Sequence, residues 1–169
     1  MEAYAFRPVT VADLPMLRGW IATPAVREWW IDADGQPSPA IAEADLHAPD
    51  VAMWIVAHGS RPFAFIQDYD PHATEGHHFG HLPPGSRGID QFIGEPDMIG
   101  RGHGSAFIGA HARRLMENGA PAVGTDPHPR NARAIRAYAK AGFVARGERA
   151  TDWGPCLLMT FTAGGSRDP

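Results

Sequence analysis

The sequence predicts an α/β fold, with helices flanking a central sheet, and three observations support that class. Segments of strand and helix character follow the order β, helices, ββ, loop, β, glycine turn, α, β, α, ββ, without internal repeats. Two apolar runs, residues 51–58 and 61–69, flank the dipeptide Gly59-Ser60, which is typical of a β-hairpin. A further strand that begins at Arg87 leads into a glycine-rich turn and then a helix.

The N-terminal part is predicted to contain one short strand and three helices. Thr10 is a candidate N-cap for the first helix, where Leu14 and Leu17 face inward, and Pro24 can open the second helix. The predicted segments are residues 4–8, 10–21, 24–30 and 38–46.

The C-terminal half is predicted to alternate helices and strands. Asn118-Gly119 closes the helix after the glycine turn, and Gly142 closes the next helix. The predicted helices are residues 105–118 and 131–141, the strands are 122–125, 143–149 and 155–162, and 163–169 forms a frayed tail.

Length and composition predict one globular domain over residues 1–169, because 44% of the residues are apolar and 20% are charged. No apolar run reaches the ~20 residues of a membrane helix, and the N-terminus lacks a signal-peptide core. We therefore expect a cytoplasmic protein without a membrane partner, either a monomer or a homodimer. A net charge of −4 disfavours nucleic acid and is compatible with a cationic ligand.

Cysteine and histidine usage predicts no disulfide and no metal site. Cys156 is the only cysteine and lies in an apolar run, so we expect a buried core residue rather than a reactive thiol. Residues 70–86 form a polar loop whose histidine spacing matches no tetrahedral metal site. Substrate contact or exposure to solvent is the favoured interpretation of this loop, and nearby carboxylates such as Asp68 can attract a cation.

The glycine turn is a candidate phosphate site. Gly100, Gly102 and Gly104 precede a helix, so the N–H groups of residues 101–105 would be free donors that a phosphate can approach closely. No lysine precedes Ser105, which excludes a P-loop, and the position past mid-chain disfavours a Rossmann fingerprint. A tight turn without a ligand is the alternative.

Three stretches together resemble the GNAT acetyltransferases. The turn at residues 99–104 resembles their acetyl-CoA motif, Gln/Arg-x-x-Gly-x-Gly/Ala, and the helix from Asn131 through Tyr138 ends in Lys-Ala-Gly-Phe at residues 140–143. The resemblance implies a GNAT fold, which is a central mixed, mostly antiparallel twisted sheet that is flanked by helices and splayed at the acetyl-CoA site. It also implies acetyl-CoA as cosubstrate.

Within that superfamily, further stretches look like the aminoglycoside 6'-N-acetyltransferases: residues 28–30 (Glu-Trp-Trp), 87–91 (Arg-Gly-Ile-Asp-Gln) and 125–127 (Thr-Asp-Pro). Ile99 departs from the general motif, so pyrophosphate contacts must come from main-chain donors or Arg101. The histidine-rich loop also replaces an aromatic, acidic loop. The predicted function is N-acetylation of an aminoglycoside-like polyamine. The alternatives are another amine acceptor or a non-catalytic acyl-CoA sensor.

Two residues are candidates for the chemistry. An ammonium acceptor must lose a proton before it attacks a thioester, and Asp90 lies on the strand that enters the turn, so we predict it as general base. Binding of the ammonium, or capping of a strand bulge, is the alternative role. Tyr138 is the predicted proton donor to the departing thiolate, with a place in the core as its alternative.

The remaining site residues divide between the two substrates. A main-chain N–H near Phe92 or Ile93 is predicted to stabilise the oxyanion. The predicted cofactor-binding residues are Phe92, Ile93, Ile99, Gly100, Arg101, Gly102, His103, Gly104, Ser105, Asn131, Arg133 and Arg136. The predicted acceptor-binding residues are Trp29, Trp30, Asp68, Asp90 and Asp126.

Overall fold

A seven-stranded sheet forms the centre of the protein. The structure, a computed structural model, describes residues 4–32 and 34–162, so the predicted tail at 163–169 lies outside it. The strands are β1 Ala5–Pro8, β2 Val51–His58, β3 Arg61–Tyr69, β4 Arg87–Ile93, β5 Ala122–Thr125, β6 Val144–Thr151 and β7 Gly154–Thr162. Their order in the sheet is β1-β2-β3-β4-β5-β7-β6, and only the β4–β5 pair is parallel. The predicted mixed, mostly antiparallel sheet is confirmed.

Within residues 4–32 and 34–162, four α-helices accompany the sheet: α1 Leu14–Ile21, α2 Pro24–Arg27, α3 His103–Glu117 and α4 Ala132–Ala141. The helix predicted at residues 38–46 is wrong, because only a short 3-10 helix at Glu43–His47 occurs there. Pro37 and Pro39 disfavour helical backbone at Gln36 and Ser38, and Ala42 is also extended, with φ −102° and ψ 164°, so no helical turn of this segment begins before Glu43. None of the described helices is long and apolar enough to cross a bilayer.

The two faces of the sheet are covered by different helices. Ile55 and Phe65 pack against α1 and α2, whereas their chain neighbours Val56 and Ile66 belong to the cluster beneath α3 and α4. Successive side chains of a strand point to opposite faces, so this division gives the sheet a front, under α1 and α2, and a back, under α3 and α4.

The sheet opens where β4 and β5 meet. The register pairs of these strands are Arg87 with Val123 and Gly88 with Gly124, whereas β4 runs on to Ile93. Beyond those pairs, the edge of β4 that faces β5 is free to contact a ligand. This opening corresponds to the splay that the GNAT resemblance implied.

Candidate active site

A cavity of about 710 Å³ lies at this opening and has two groups of lining residues. The first group carries carboxylates and aromatic rings, and it includes Asp90, Asp126, Trp29, His78 and Trp153. The second group comprises the glycine turn, the N-terminal part of α3 and one face of α4 along its length. One cavity therefore connects an acidic pocket with the start of α3 and a face of α4.

Asp90 is half-buried on the front face of β4, directly opposite Gln67 of β3. The Gln67 amide donates a hydrogen bond from Nε2 to Asp90 Oδ2 at 2.9 Å. Burial and the nearby negative charge of Asp126 raise the pKa of Asp90 to about 7, although the Gln67 bond opposes the shift. A carboxylate with a pKa near neutrality is suited to accept a proton at physiological pH.

Asp126 follows the last residue of β5 and faces the same cavity. His78, from the loop at residues 70–86, donates from Nε2 to Asp126 Oδ2 at 2.7 Å. The acidic end of the cavity therefore contains two carboxylates, and each accepts a hydrogen bond from a different side chain: Asp90 from Gln67 and Asp126 from His78.

The adjacent tryptophans both border the cavity but differ in their packing. Trp30 meets Phe92 edge-on at 5.0 Å between ring centroids and belongs to the front core. Trp29 lies 5.6 Å from the ring of His128, which also lines the cavity. Trp30 therefore packs in the front core, whereas the Trp29 ring is the one placed to contact a ligand in the cavity.

The prediction that Asp68 binds the acceptor is wrong, because its carboxylate lies on the back of the sheet. Trp54 and His111 donate to its Oδ2 at 2.9 and 3.1 Å, and Arg87 donates to Oδ1 at 2.8 Å. Burial opposes ionisation, but these hydrogen bonds outweigh it and hold the pKa of Asp68 below its usual value. Asp68 is next to Gln67 in β3, and the two-residue period of a strand sends it away from the cavity.

The glycine turn has the backbone that a phosphate cradle requires. Gly100 and Gly102 have φ of 78° and 86°, a left-handed conformation that side chains with a Cβ disfavour. Apart from the glycine itself and its two chain neighbours, no atom of the described residues lies within 4 Å of the point where a Cβ would stand at either position. The first main-chain hydrogen bond of α3 runs from Ala106 N–H to the Gly102 carbonyl, so the N–H groups of residues 103–105 precede it and remain available.

The cationic side chains near the turn differ in whether they line the cavity. Arg101 is exposed and is not part of the cavity wall. His103 is turned away, with its Nδ1 2.8 Å from the hydroxyl of Tyr4, so only its main chain is available at the turn. Arg133 and Arg136 do line the cavity, together with Lys140, which we did not predict although it continues the helical spacing of the two arginines.

Two polar residues of α4 have partners within the protein. Asn131 caps the helix, since its Oδ1 accepts from the N–H of Ala134 at 3.1 Å. Tyr138 is buried in the back core, its hydroxyl accepts a hydrogen bond from Gln91 Nε2, and burial raises its pKa. Among the described residues nothing pairs with the buried Oε1 of Gln91.

Among residues 4–32 and 34–162, no three His, Cys, Asp or Glu side chains are grouped to share a metal ion. Cys156 is buried, as predicted, and burial raises the pKa of its thiol.

The chain belongs to the GNAT acetyltransferases, because residues 10–151 match the family model of the acetyltransferase (GNAT) domain. It is an acetyl-CoA-dependent acetyltransferase, as predicted. It is 30% identical to the aminoglycoside N(6')-acetyltransferase type 1 of Klebsiella pneumoniae over 168 residues, which is 95% of this chain and 84% of that protein.

Two further comparisons point to the same group. A solved structure of AAC(6')-Ib with ribostamycin and coenzyme A superposes with a TM-score of 0.86 at 29% identity, covering 97% of this chain and 96% of that one. A kanamycin resistance protein of Rhizobium radiobacter is 40% identical over 80 residues, which is 47% of this chain and 74% of that protein.

Proposed function

We propose that this acetyltransferase transfers the acetyl group of acetyl-CoA to the 6'-amine of an aminoglycoside. The observation that carries the proposal is the shared cavity, in which Asp90 and Asp126 face the space reached from the glycine turn. An aminoglycoside carries several ammonium groups, which two carboxylates attract. The relatives named above have aminoglycoside acetylation or kanamycin resistance in their names, which supports this acceptor class.

Asp90 acts as the general base. With a pKa near 7 it is ionised in much of the enzyme at neutral pH, and it removes a proton from the acceptor ammonium, directly or through one water. The freed amine then attacks the thioester carbonyl. Gln67 holds the Asp90 carboxylate toward the cavity by its hydrogen bond.

Main-chain donors and a phenol complete the reaction. An N–H of β4 near Phe92 or Ile93 stabilises the tetrahedral oxyanion, since β4 is free of β5 in this stretch. As the C–S bond breaks, Tyr138 gives its proton to the departing CoA thiolate, and the second proton of the attacking nitrogen passes through water to the Tyr138 phenolate. The Gln91 amide donates to the Tyr138 oxygen, which leaves the phenol hydrogen free for that transfer.

The second group of lining residues holds the cosubstrate. The glycine turn receives the pyrophosphate on the main-chain N–H groups that precede the first hydrogen bond of α3, including those of residues 103–105. Arg133, Arg136 and Lys140 add positive charge for the phosphates. Asn131 Nδ2, which makes no side-chain hydrogen bond within residues 4–32 and 34–162, is placed to contact the pantetheine arm.

The acceptor occupies the acidic end. Asp126 binds a second ammonium group, and Trp29 and Trp30 provide aromatic surface for the sugar rings. We expect the enzyme to work in the cytoplasm, where acetyl-CoA is available.

Thiol release from acetyl-CoA tests the proposal directly. We expect turnover with kanamycin A, which has a 6'-amine, and little with paromomycin, which has a 6'-hydroxyl instead. Spermidine and a peptide amine serve as the other acceptors. Faster turnover of spermidine or the peptide amine than of kanamycin A would mean that the acceptor is not an aminoglycoside. Binding of CoA without turnover of any amine would indicate an acyl-CoA sensor.

A further inference from the structure

The histidine loop, residues 70–86, is anchored on the front of the sheet at the splay. The ring of Tyr69, just before the loop, occupies the place of a Cβ at Gly88, and the ring of Phe79 does the same at Gly124. Gly88 and Gly124 are register partners in β4 and β5. The two glycines therefore allow the rings to pack directly on the backbone of the sheet, because a Cβ at either position would displace the ring that covers it.

His78 lies between this anchor and the cavity, and its ring is held on several sides. It stacks on His77 at 4.1 Å between centroids, contacts Phe79 at 4.7 Å, and meets the Trp153 ring edge-on at 6.1 Å. Only 7% of its side chain is exposed. The direction of its Nε2–H toward Asp126 is thus determined by packing.

This hydrogen bond leaves Asp126 with one free oxygen. His78 uses Oδ2, and in the described part of the chain no hydrogen bond reaches Oδ1. A carboxylate beside a cavity can rotate about its terminal torsion, and a donor that fixes one oxygen also fixes where the other points. The free oxygen can then accept a hydrogen bond from an ammonium in the cavity.

We propose that His78 is a positioning residue for the acceptor, which orients Asp126 so that its free oxygen binds an ammonium group of a polycationic substrate. The inference rests on the proposed function and assigns a role to the loop in which this chain differs from the aminoglycoside enzymes it resembles. His78 itself touches neither the reacting amine nor the thioester.

Two matched variants test the role of the hydrogen bond. The amide of His78→Gln can place a donor near the position of Nε2, whereas the shorter amide of His78→Asn cannot reach Asp126. We expect the KM for kanamycin A to rise about tenfold in His78→Asn and less than about threefold in His78→Gln. The KM for acetyl-CoA should stay within about twofold, and His72→Asn, in an exposed histidine of the same loop, is the control.

A double-mutant cycle shows whether His78 acts through Asp126. In the Asp126→Ala background, His78→Asn should change the KM for kanamycin A by less than about twofold. The inference would be overturned if the effects of His78→Asn and Asp126→Ala on the KM for kanamycin A multiplied, or if His78→Gln and His78→Asn had equal KM values. In either case, acetylation of kanamycin A by the wild type would still support the proposed function. A wild type that neither binds nor acetylates any amine of the panel would instead overturn the proposed function, and this inference with it.

Discussion

Asp90 and Asp68 show how two aspartates of neighbouring strands reach opposite ionisation behaviour. Both are removed from water, which penalises a negative charge. Asp68 has Arg87, Trp54 and His111 as donors, and its pKa is lowered. Asp90 has one amide donor and a second carboxylate nearby, and its pKa is raised to about 7. The difference follows from the donors around each carboxylate.

The pH dependence of the rate tests Asp90 as the base. Only ionised Asp90 accepts a proton, so kcat/KM for the acceptor should rise with pH up to about 7 and level off above it. Asp90→Asn should lower kcat/KM by at least about 100-fold and leave the KM for acetyl-CoA nearly unchanged. Steady-state rates between pH 5.5 and 8.5 provide the measurement. Full activity in Asp90→Asn would remove Asp90 from the mechanism.

Tyr138→Phe separates chemistry from packing. The phenylalanine ring still fills the back core, so the lost hydrogen bond with Gln91 should cost only about 1 kcal/mol of stability. We expect kcat to fall roughly tenfold or more, because the thiolate loses its proton donor. Single-turnover rates and thermal melts together make the test, and an unchanged kcat would assign Tyr138 to the core alone.

At the scale of elements, the turn before α3 and the gap beside β4 act together. The turn exposes N–H groups at a helix start, and the gap lets a bound ligand reach from that start to the front face. Neither element forms a site alone, since a helix start without the gap would have no access to Asp90.

Gly102→Ala tests the turn against a matched control. An alanine at φ 86° is strained by roughly 1 kcal/mol and its methyl group projects where phosphates approach the main chain. Gly119 has φ 100° and also has open space at its Cβ position, but it follows α3 far from the cavity wall. Calorimetry should show weaker CoA binding in Gly102→Ala, and Gly119→Ala should bind CoA as the wild type does. Equal CoA affinity in both variants would contradict the phosphate site.

At the scale of the whole molecule, the active site lowers the stability of the fold. The pKa of Asp90 is about 7 in the folded protein against 3.8 for the ordinary group, so folding favours its protonated form. The contribution of Asp90 to the free energy of unfolding is fully present below the ordinary pKa and is lost as the pH rises toward 7. The expected loss is roughly 1.4 kcal/mol for each pH unit between the two values.

The free energies of unfolding of Asp90→Asn and Asp68→Asn should change in opposite directions at pH 8, because folding raises the pKa of Asp90 and lowers that of Asp68. Asp90→Asn should be more stable than wild type at pH 8, and the gain should nearly vanish at about pH 3, below the ordinary pKa of 3.8, where wild-type Asp90 is largely protonated in both states. Asp68→Asn should be destabilised by about 3 kcal/mol at pH 8, because Arg87 and His111 lose a buried charge partner. Urea titrations at both pH values suffice, and a less stable Asp90→Asn at pH 8 would contradict the raised pKa.

The sequence by itself determined the strands, most helices, the glycine turn and the position of Asp90 on β4, because those features depend on periodicity and backbone preferences within short segments. The helix expected at residues 38–46 is reduced to a 3-10 helix at Glu43–His47, since Pro39 disfavours helical backbone at Ser38 and Ala42 is extended. Only the tertiary structure decided that the cavity opens on the Asp90 side rather than on the Asp68 side, and that His78 meets Asp126. The first outcome depends on which helices cover each face of the sheet, and the second depends on a contact between residues far apart in the chain. A sequence pattern within a short segment specifies neither of these.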